Sequence, residues 1–215
     1  MDLLTGAFLK AFAALFSIVN PLGAMPVFLS MTTRDTPAER ARIVMKASIY
    51  LVIILIVSFL VGTYILQFFG ISINAMRIAG GFIILNSGFS LLGGDFAKAR
   101  AIDDKVQTEA ISKSDISLTP LAIPMLAGPG SISLLIGYGT RVDDLKGYIT
   151  IISVIIVVGL LSFLILRVSP KLVSFLGEAG LNSISRIMGF IVVCVGVQYI
   201  INGVKAVLES WRLIH

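Results

Sequence analysis

Charge is scarce in this chain: 13% of its 215 residues are Asp, Glu, Lys or Arg, 57% are hydrophobic, and mean hydropathy is +0.99. A soluble domain of this length needs a far more charged surface, so the composition excludes one and implies a lipid environment. Histidine occurs once, as the last residue His215, and cysteine once, as Cys194. One terminal imidazole cannot build a metal cluster or a His-based triad. A lone thiol inside an apolar run reads as a packing residue rather than a redox centre. No acidic residue falls inside the long uncharged runs, which excludes paired carboxylates in the membrane. The chain is therefore expected to be no enzyme and to hold no cofactor and no metal. A basic leader is also lacking, since the chain opens Met1-Asp2-Leu3-Leu4, and the first apolar segment is expected to stay as a span.

The uncharged runs cover 11–33, 47–76, 78–94, 116–140, 147–166 and 187–204. About 20 apolar residues cross a bilayer as a helix, so the pattern predicts an all-α polytopic membrane protein of six spans. The second run also holds a turn, with Gly70, Ser72 and Asn74 as breakers before a helix that starts at Arg77. Basic residues cluster in alternate connections: Arg34, Arg40, Arg42 and Lys46, then Lys98, Arg100, Lys105 and Lys113, then Arg167, Lys171 and Arg186. The positive-inside rule puts those connections in the cytoplasm and both termini outside it. The net charge of +5 is thereby explained by topology, and no nucleic-acid partner is implied.

Two stretches of the chain follow one plan. Asn20-Pro21-Leu22-Gly23 interrupts the first run and Ala127-Gly128-Pro129-Gly130 the fourth, while Arg77-Ile78-Ala79-Gly80 and Arg186-Ile187-Met188-Gly189 open the third and sixth. Pro21 precedes Arg77 by 77−21=56 positions and Pro129 precedes Arg186 by 186−129=57. Three spans per half place the second half upside down relative to the first, so the expected architecture is two inverted three-helix repeats, 1–94 and 116–215, with discontinuous helices 1 and 4. A polar cytoplasmic linker, 95–115, is expected to join them.

A proline inside a helix lacks a backbone donor and clashes with the preceding turn, and glycine permits conformations closed to other residues. The backbone groups freed in this way are tolerated at membrane depth only inside protein or beside a polar cavity. The restarting half-helices, near Gly23 and Gly130, would present amide donors and a positive dipole end suited to a carboxylate. Carbonyls near Asn20 and Ala127 would suit an ammonium group or a small cation. The candidate substrate-binding residues are Asn20, Pro21, Gly23, Ala24, Ala127, Gly128, Pro129, Gly130 and Ser131, with Asn86 and Ser87 of the third span alongside. Interhelical hydrogen bonding between small-residue surfaces at Gly80, Gly81, Gly88, Gly189 and Gly196 is an equal alternative for the polar residues of spans three and six, Gln198 included. Arg77 and Arg186 read as interfacial anchors, or as caps on the C-terminal carbonyls of neighbouring helices.

The run Asn20 to Phe28, the run Pro-Leu-Ala-Ile-Pro-Met-Leu-Ala-Gly-Pro-Gly from Pro120 to Gly130, and the Arg-Ile-x-Gly starts at Arg77 and Arg186 resemble the MarC family of six-span inner-membrane proteins, which includes SnatA-type neutral amino acid transporters. The resemblance spans essentially the whole chain. It implies a multi-pass protein of the prokaryotic inner membrane that moves a small neutral amino acid such as glycine or alanine. Asn20 stands where some members are expected to carry Asp, which removes the one place for a titratable carboxylate at the interruption. A coupling ion, Na⁺ or H⁺, would then find only neutral oxygens, at Asn20, Asn86, Ser87, Thr119 or Ser131, which favours Na⁺. Membrane lipid is the other expected partner, and a homo-oligomer is compatible with the pattern. The alternatives are an exporter, a channel-like facilitator, or a membrane protein that transports nothing.

Overall fold

The computed structural model describes residues 3–93 and 116–212, so the linker expected at 95–115 lies outside the described residues. The chain order is α1 (Leu3–Val19), α2 (Pro21–Met31), α3 (Pro37–Phe68), α4 (Ile73–Leu92), an irregular π-type segment (Ser117–Leu126), α5 (Pro129–Gly139), α6 (Leu145–Arg167) and α7 (Ser169–Arg212). Among the described residues there is no strand. Five helices are long and apolar enough to cross a membrane, and the bent pair of the irregular segment with α5 makes a sixth.

Local chemistry sets the ends of these helices. Thr36 and Glu39 form a reciprocal capping box at the start of α3: the Thr36 amide donates to the Glu39 carboxylate at 2.7 Å, and the Glu39 amide donates to the Thr36 hydroxyl at 3.3 Å. At the other end, the Gly70 amide donates to Gln67 O and the Ile71 amide to Leu66 O. Gly70 adopts φ +64°, which completes the glycine-terminated stop that the turn signal at Gly70 predicts. Ser72 then caps α4 by accepting from the Ala75 amide at 3.1 Å, and Asp144 caps α6 through the Gly147 amide at 3.1 Å. A break inside α7 at Gly177, with φ +66°, has no counterpart in the sequence reading and separates a short leading helix from the span Ala179–Trp211.

Packing is apolar on both sides of the helices, as lipid requires. Leu15, Ile18, Met25, Phe28, Leu51, Leu55, Phe59 and Ile84 fill the centre, while Ile49, Ile53, Val57, Phe82, Phe89, Ile156, Leu160 and Phe190 are exposed on the outside. The first span is the most buried, with 56% of its apolar window inside the protein. Helices α4 and α7 run antiparallel with their backbones in near contact. A β-carbon on Gly81 would lie 2.9 Å from Gly196 O, and one on Gly88 would lie 3.0 Å from Gly189 O. Such close approach is open only to glycine, and it assigns a packing role to the small-residue surfaces of these two helices. Helix α4 also packs on α5, α7 on α1 and α2, α3 on α5, α6 and the irregular segment, and α6 on α1 and α2.

Candidate functional site

The first interruption is a single residue. Asn20 sits between α1 and α2 in the left-handed conformation, φ 45° and ψ 62°, and the main-chain ladder continues across it: its amide donates to Phe16 O at 2.8 Å and its carbonyl accepts from Ala24 at 3.2 Å. Asn tolerates this backbone region better than other side-chain-bearing residues. Pro21 occupies the first helical position of α2, where no amide is needed, so α2 restarts at Pro21 itself and not near Gly23. The Asn20 side chain caps α2 by accepting from the Gly23 amide at 3.2 Å. That leaves its amide nitrogen, Nδ2, buried and without a hydrogen-bond partner among the described residues. Gly23 is consequently no free donor, which corrects the expectation of an open anion receptor at this first half-helix.

The second interruption is larger. The segment Ser117–Leu126 takes extended dihedrals at Thr119 and Ile123, each of which precedes a proline, and meets α5 at 67°. Pro129 is again the first residue of the restarting helix, but its cap is Gly128, which has no side chain to offer. The amides of Ser131 and Ile132 donate to Gly128 O at 3.1 and 3.2 Å, and the Ser131 hydroxyl donates to the same carbonyl at 2.8 Å. The Gly130 amide precedes the first full helical turn and has no intrahelical acceptor.

These two interruptions lie close together. A β-carbon on Gly130 would meet the Ile84 side chain at 3.3 Å and the Ile18 side chain at 3.4 Å, so the second restart sits against the end of α1 and the middle of α4. Asn20, Pro21, Gly23, Ala24, Ala127, Gly128, Gly130 and Ser131 are all buried. Three other candidates stand apart from them: Pro129 and Asn86 are exposed, and Ser87 is half-buried on α4. Gln198, also exposed, donates to Asn202 on its own helix at 3.0 Å. Thr119 is exposed as well.

Side chains that the sequence reading passed over, together with Arg77, hold the far ends of the half-helices. Thr32 ends α2 and Thr140 ends α5, and each hydroxyl donates back into its own helix at 2.9 Å. Arg40 donates through Nε to Thr32 O at 2.9 Å, and Arg77 donates to the Thr140 hydroxyl at 3.0 Å. Arg77 thus reaches the end of a neighbouring helix, but it bonds a hydroxyl there and not a C-terminal carbonyl as expected; Arg40 makes the carbonyl cap. Tyr199 of α7 donates to Leu134 O at 2.9 Å, with its hydroxyl against Gly137. The one sequence signal for these ends is the spacing of the two threonines, 140−32=108, the same as 129−21=108 for the two prolines.

Comparison with known proteins places the chain in a family. The family described as MarC family integral membrane protein matches residues 5–208. The UPF0056 membrane protein YhcE of Escherichia coli (strain K12) is 36% identical over 203 residues, covering 94% of each chain. A UPF0056 membrane protein of Methanocaldococcus jannaschii is 35% identical over 202 residues, covering 94% of this chain and 97% of the relative. The UPF0056 inner membrane protein MarC of Citrobacter koseri is 33% identical over 207 residues, 92% of this chain and 94% of the relative. No solved structure matches. With helices that can span a bilayer along its whole described length and relatives matched nearly end to end, the chain belongs to the MarC family of integral membrane proteins.

Proposed function

We propose that the protein is a secondary transporter for a small neutral amino acid of the glycine or alanine class, held between the two interruptions and exposed alternately to each side of the inner membrane. The observation that carries this reading is the buried, unpartnered Nδ2 of Asn20 beside a second helix start. A buried donor left without a partner costs about 1 to 3 kcal/mol, so it marks a place where a ligand group supplies the bond. The substrate carboxylate accepts from Asn20 Nδ2 and the Gly130 amide at the positive end of α5, and the ammonium donates to carbonyls ending near Leu126 and Ala127. Ile18 and Ile84 press on Gly130, so a substrate held there would have to carry a small side chain.

Two inverted repeats are one architecture for alternating access, and the packing supports them. Shifting residue numbers by 108 turns Gly81 into Gly189 and Gly196 into Gly88, so the two glycine contacts between α4 and α7 exchange with each other. The same exchange maps the packing of α4 on α5 onto that of α7 on α2, and the packing of α3 on the irregular segment onto that of α6 on α1. The pseudo-twofold axis then lies in the membrane plane, with both termini outside the cytoplasm. Asn20 Oδ1 and main-chain carbonyls are neutral oxygens, so a coupling ion is Na⁺ rather than a proton on a carboxylate.

Thermal unfolding of the detergent-purified protein with free amino acids, with and without Na⁺, tests the substrate class, because a ligand stabilises by RT ln(1+[L]/Kd) whichever way it travels. Glycine or alanine raises the melting temperature and lysine or glutamate does not. Equal responses to all four, or none to any, would refute the pocket. In proteoliposomes, preloaded substrate accelerates uptake by a carrier; uptake indifferent to preloading would indicate a channel-like facilitator.

A further inference from the structure

Away from the interruptions, a cavity of about 440 Å³ opens where α3 begins and α6 gives way to α7. Three cations from three elements line it: Arg40 in the first turn of α3, Arg167 at the end of α6 and Lys171 in the first turn of α7. No carboxylate lines it, and no ion pair joins any of the three to an acid among the described residues. Arg40 is the half-buried one, and its Nε bond to Thr32 O fixes where the rest of the guanidinium points. Arg167 is steadied over the Phe163 ring at 5.6 Å. Phe28, Val44 and Leu166 supply apolar walls.

Three like charges around one hollow repel one another unless an anion joins them, and guanidinium groups match phosphate oxygens in pairs. The cavity sits at the start of α3 and the end of α6, two helices long and apolar enough to cross a membrane, which is where a lipid headgroup would lie. We infer that it is a binding site for a phosphate-bearing anion, filled by the headgroup of an anionic phospholipid. The lipid bridges the start of α3 to the junction of α6 and α7, and so ties the two halves of the chain together on their more basic face. This site is independent of the transport reading.

The test titrates the full-length purified protein with phosphatidylglycerol, phosphatidylcholine or inorganic phosphate at matched ionic strength and follows the melting temperature. Phosphatidylglycerol raises it progressively with concentration, while phosphatidylcholine does not. The double variant Arg167→Gln with Lys171→Gln, which leaves the Arg40 bond intact, weakens the response about fivefold per lost charge. Arg34→Gln, an exposed cation of the same face outside the cavity, leaves the response unchanged. Inorganic phosphate acting as strongly as the lipid would keep the phosphate site and transfer it to a soluble ligand. Equal responses to the two lipids, or an undiminished response in the double variant, would overturn the proposal.

Discussion

Helices α2 and α5 have the same length, 11 residues, begin with a proline and stop at a threonine, yet they are entered in different ways. The first is entered through Asn20, whose left-handed backbone and capping side chain hold Thr5–Met31 together as one span. The second is entered through Gly128 after a 67° bend, with no side chain at the cap. One sequence device, a proline at the first helical position, therefore yields a self-capped start in one half and an open one in the other. The difference assigns unequal tasks: the second start offers an amide, and the first offers the spare nitrogen of the residue that caps it.

The largest effect is expected where the two halves meet, because the comparison presumes that they pack as symmetry mates. A β-carbon on Gly196 would lie 2.8 Å from Leu85 N and 2.9 Å from Gly81 O, and neither backbone atom can give way as a side chain would. Gly196→Val should cost about 3 kcal/mol or more, since overpacking against backbone is at least as severe as in an ordinary core. Loss of monodisperse protein in detergent, or a large drop in melting temperature, is the expected reading. A variant of unchanged stability would break the pairing of α4 with α7.

Next comes the open start. The added β-carbon of Gly130→Val meets Ile84 and Ile18 at 3.3 and 3.4 Å, tight but against side chains that can shift, while its γ-methyls would crowd the amide that the proposed substrate needs. The fold should survive with a loss of about 1 to 3 kcal/mol, and glycine-induced stabilisation should vanish. Gly130→Ala sharpens the point: it should keep most of the stability and lose only part of the ligand response. Full ligand stabilisation in the valine variant would place the pocket elsewhere.

Asn20 can be dissected because its roles sit on different atoms. Asn20→Asp keeps the acceptor for the Gly23 amide and the tolerance of φ 45°, but replaces the spare donor with an anion, which would repel the carboxylate of the proposed substrate. Asn20→Gly keeps the backbone conformation and removes both cap and donor, at a cost of a few tenths to about 1 kcal/mol. Both should abolish glycine binding; the glycine variant should do so with little change in stability. If either still responds to glycine, the unpartnered nitrogen has no part in recognition.

Much of this was legible in the chain. Uncharged runs locate the spans because lipid selects apolar length, and Gly70 and Ser72 break the chain as expected, but Asn74 lies inside the next helix, which Ser72 caps and which starts at Ile73 instead of Arg77. Asn20 and Gly130 stand out because proline and glycine act on the backbone directly. The exposure of Pro129 and Asn86 depends on how helices face one another, which spacing alone leaves undetermined, whereas the cap that occupies Gly23 and the break at Gly177 are local features that the sequence reading did not draw out. Arg77 was singled out in the sequence and Arg40 was not: the two come from non-equivalent positions, the start of α4 and the start of α3, so no repeat aligns one with the other.

Those arginines supply the smallest prediction. Each holds the outer end of one half-helix by a single bond, Arg40 on a carbonyl and Arg77 on a hydroxyl, so replacing either with Gln should cost about 1 kcal/mol in detergent free of anionic lipid. The two losses differ in kind. Arg77 comes from the first half and grips the second, with its Nε buried and without a hydrogen-bond partner among the described residues, whereas Arg40 and Thr32 belong to the same half. Arg77→Gln therefore loosens one half against the other and should change the rate of substrate exchange in proteoliposomes more than it changes glycine-induced stabilisation. Arg40→Gln should leave exchange near its original rate. Equal effects of the two variants on exchange would mean that the ends of α2 and α5 move together, and the rocking of one half against the other would have to be sought at a different contact.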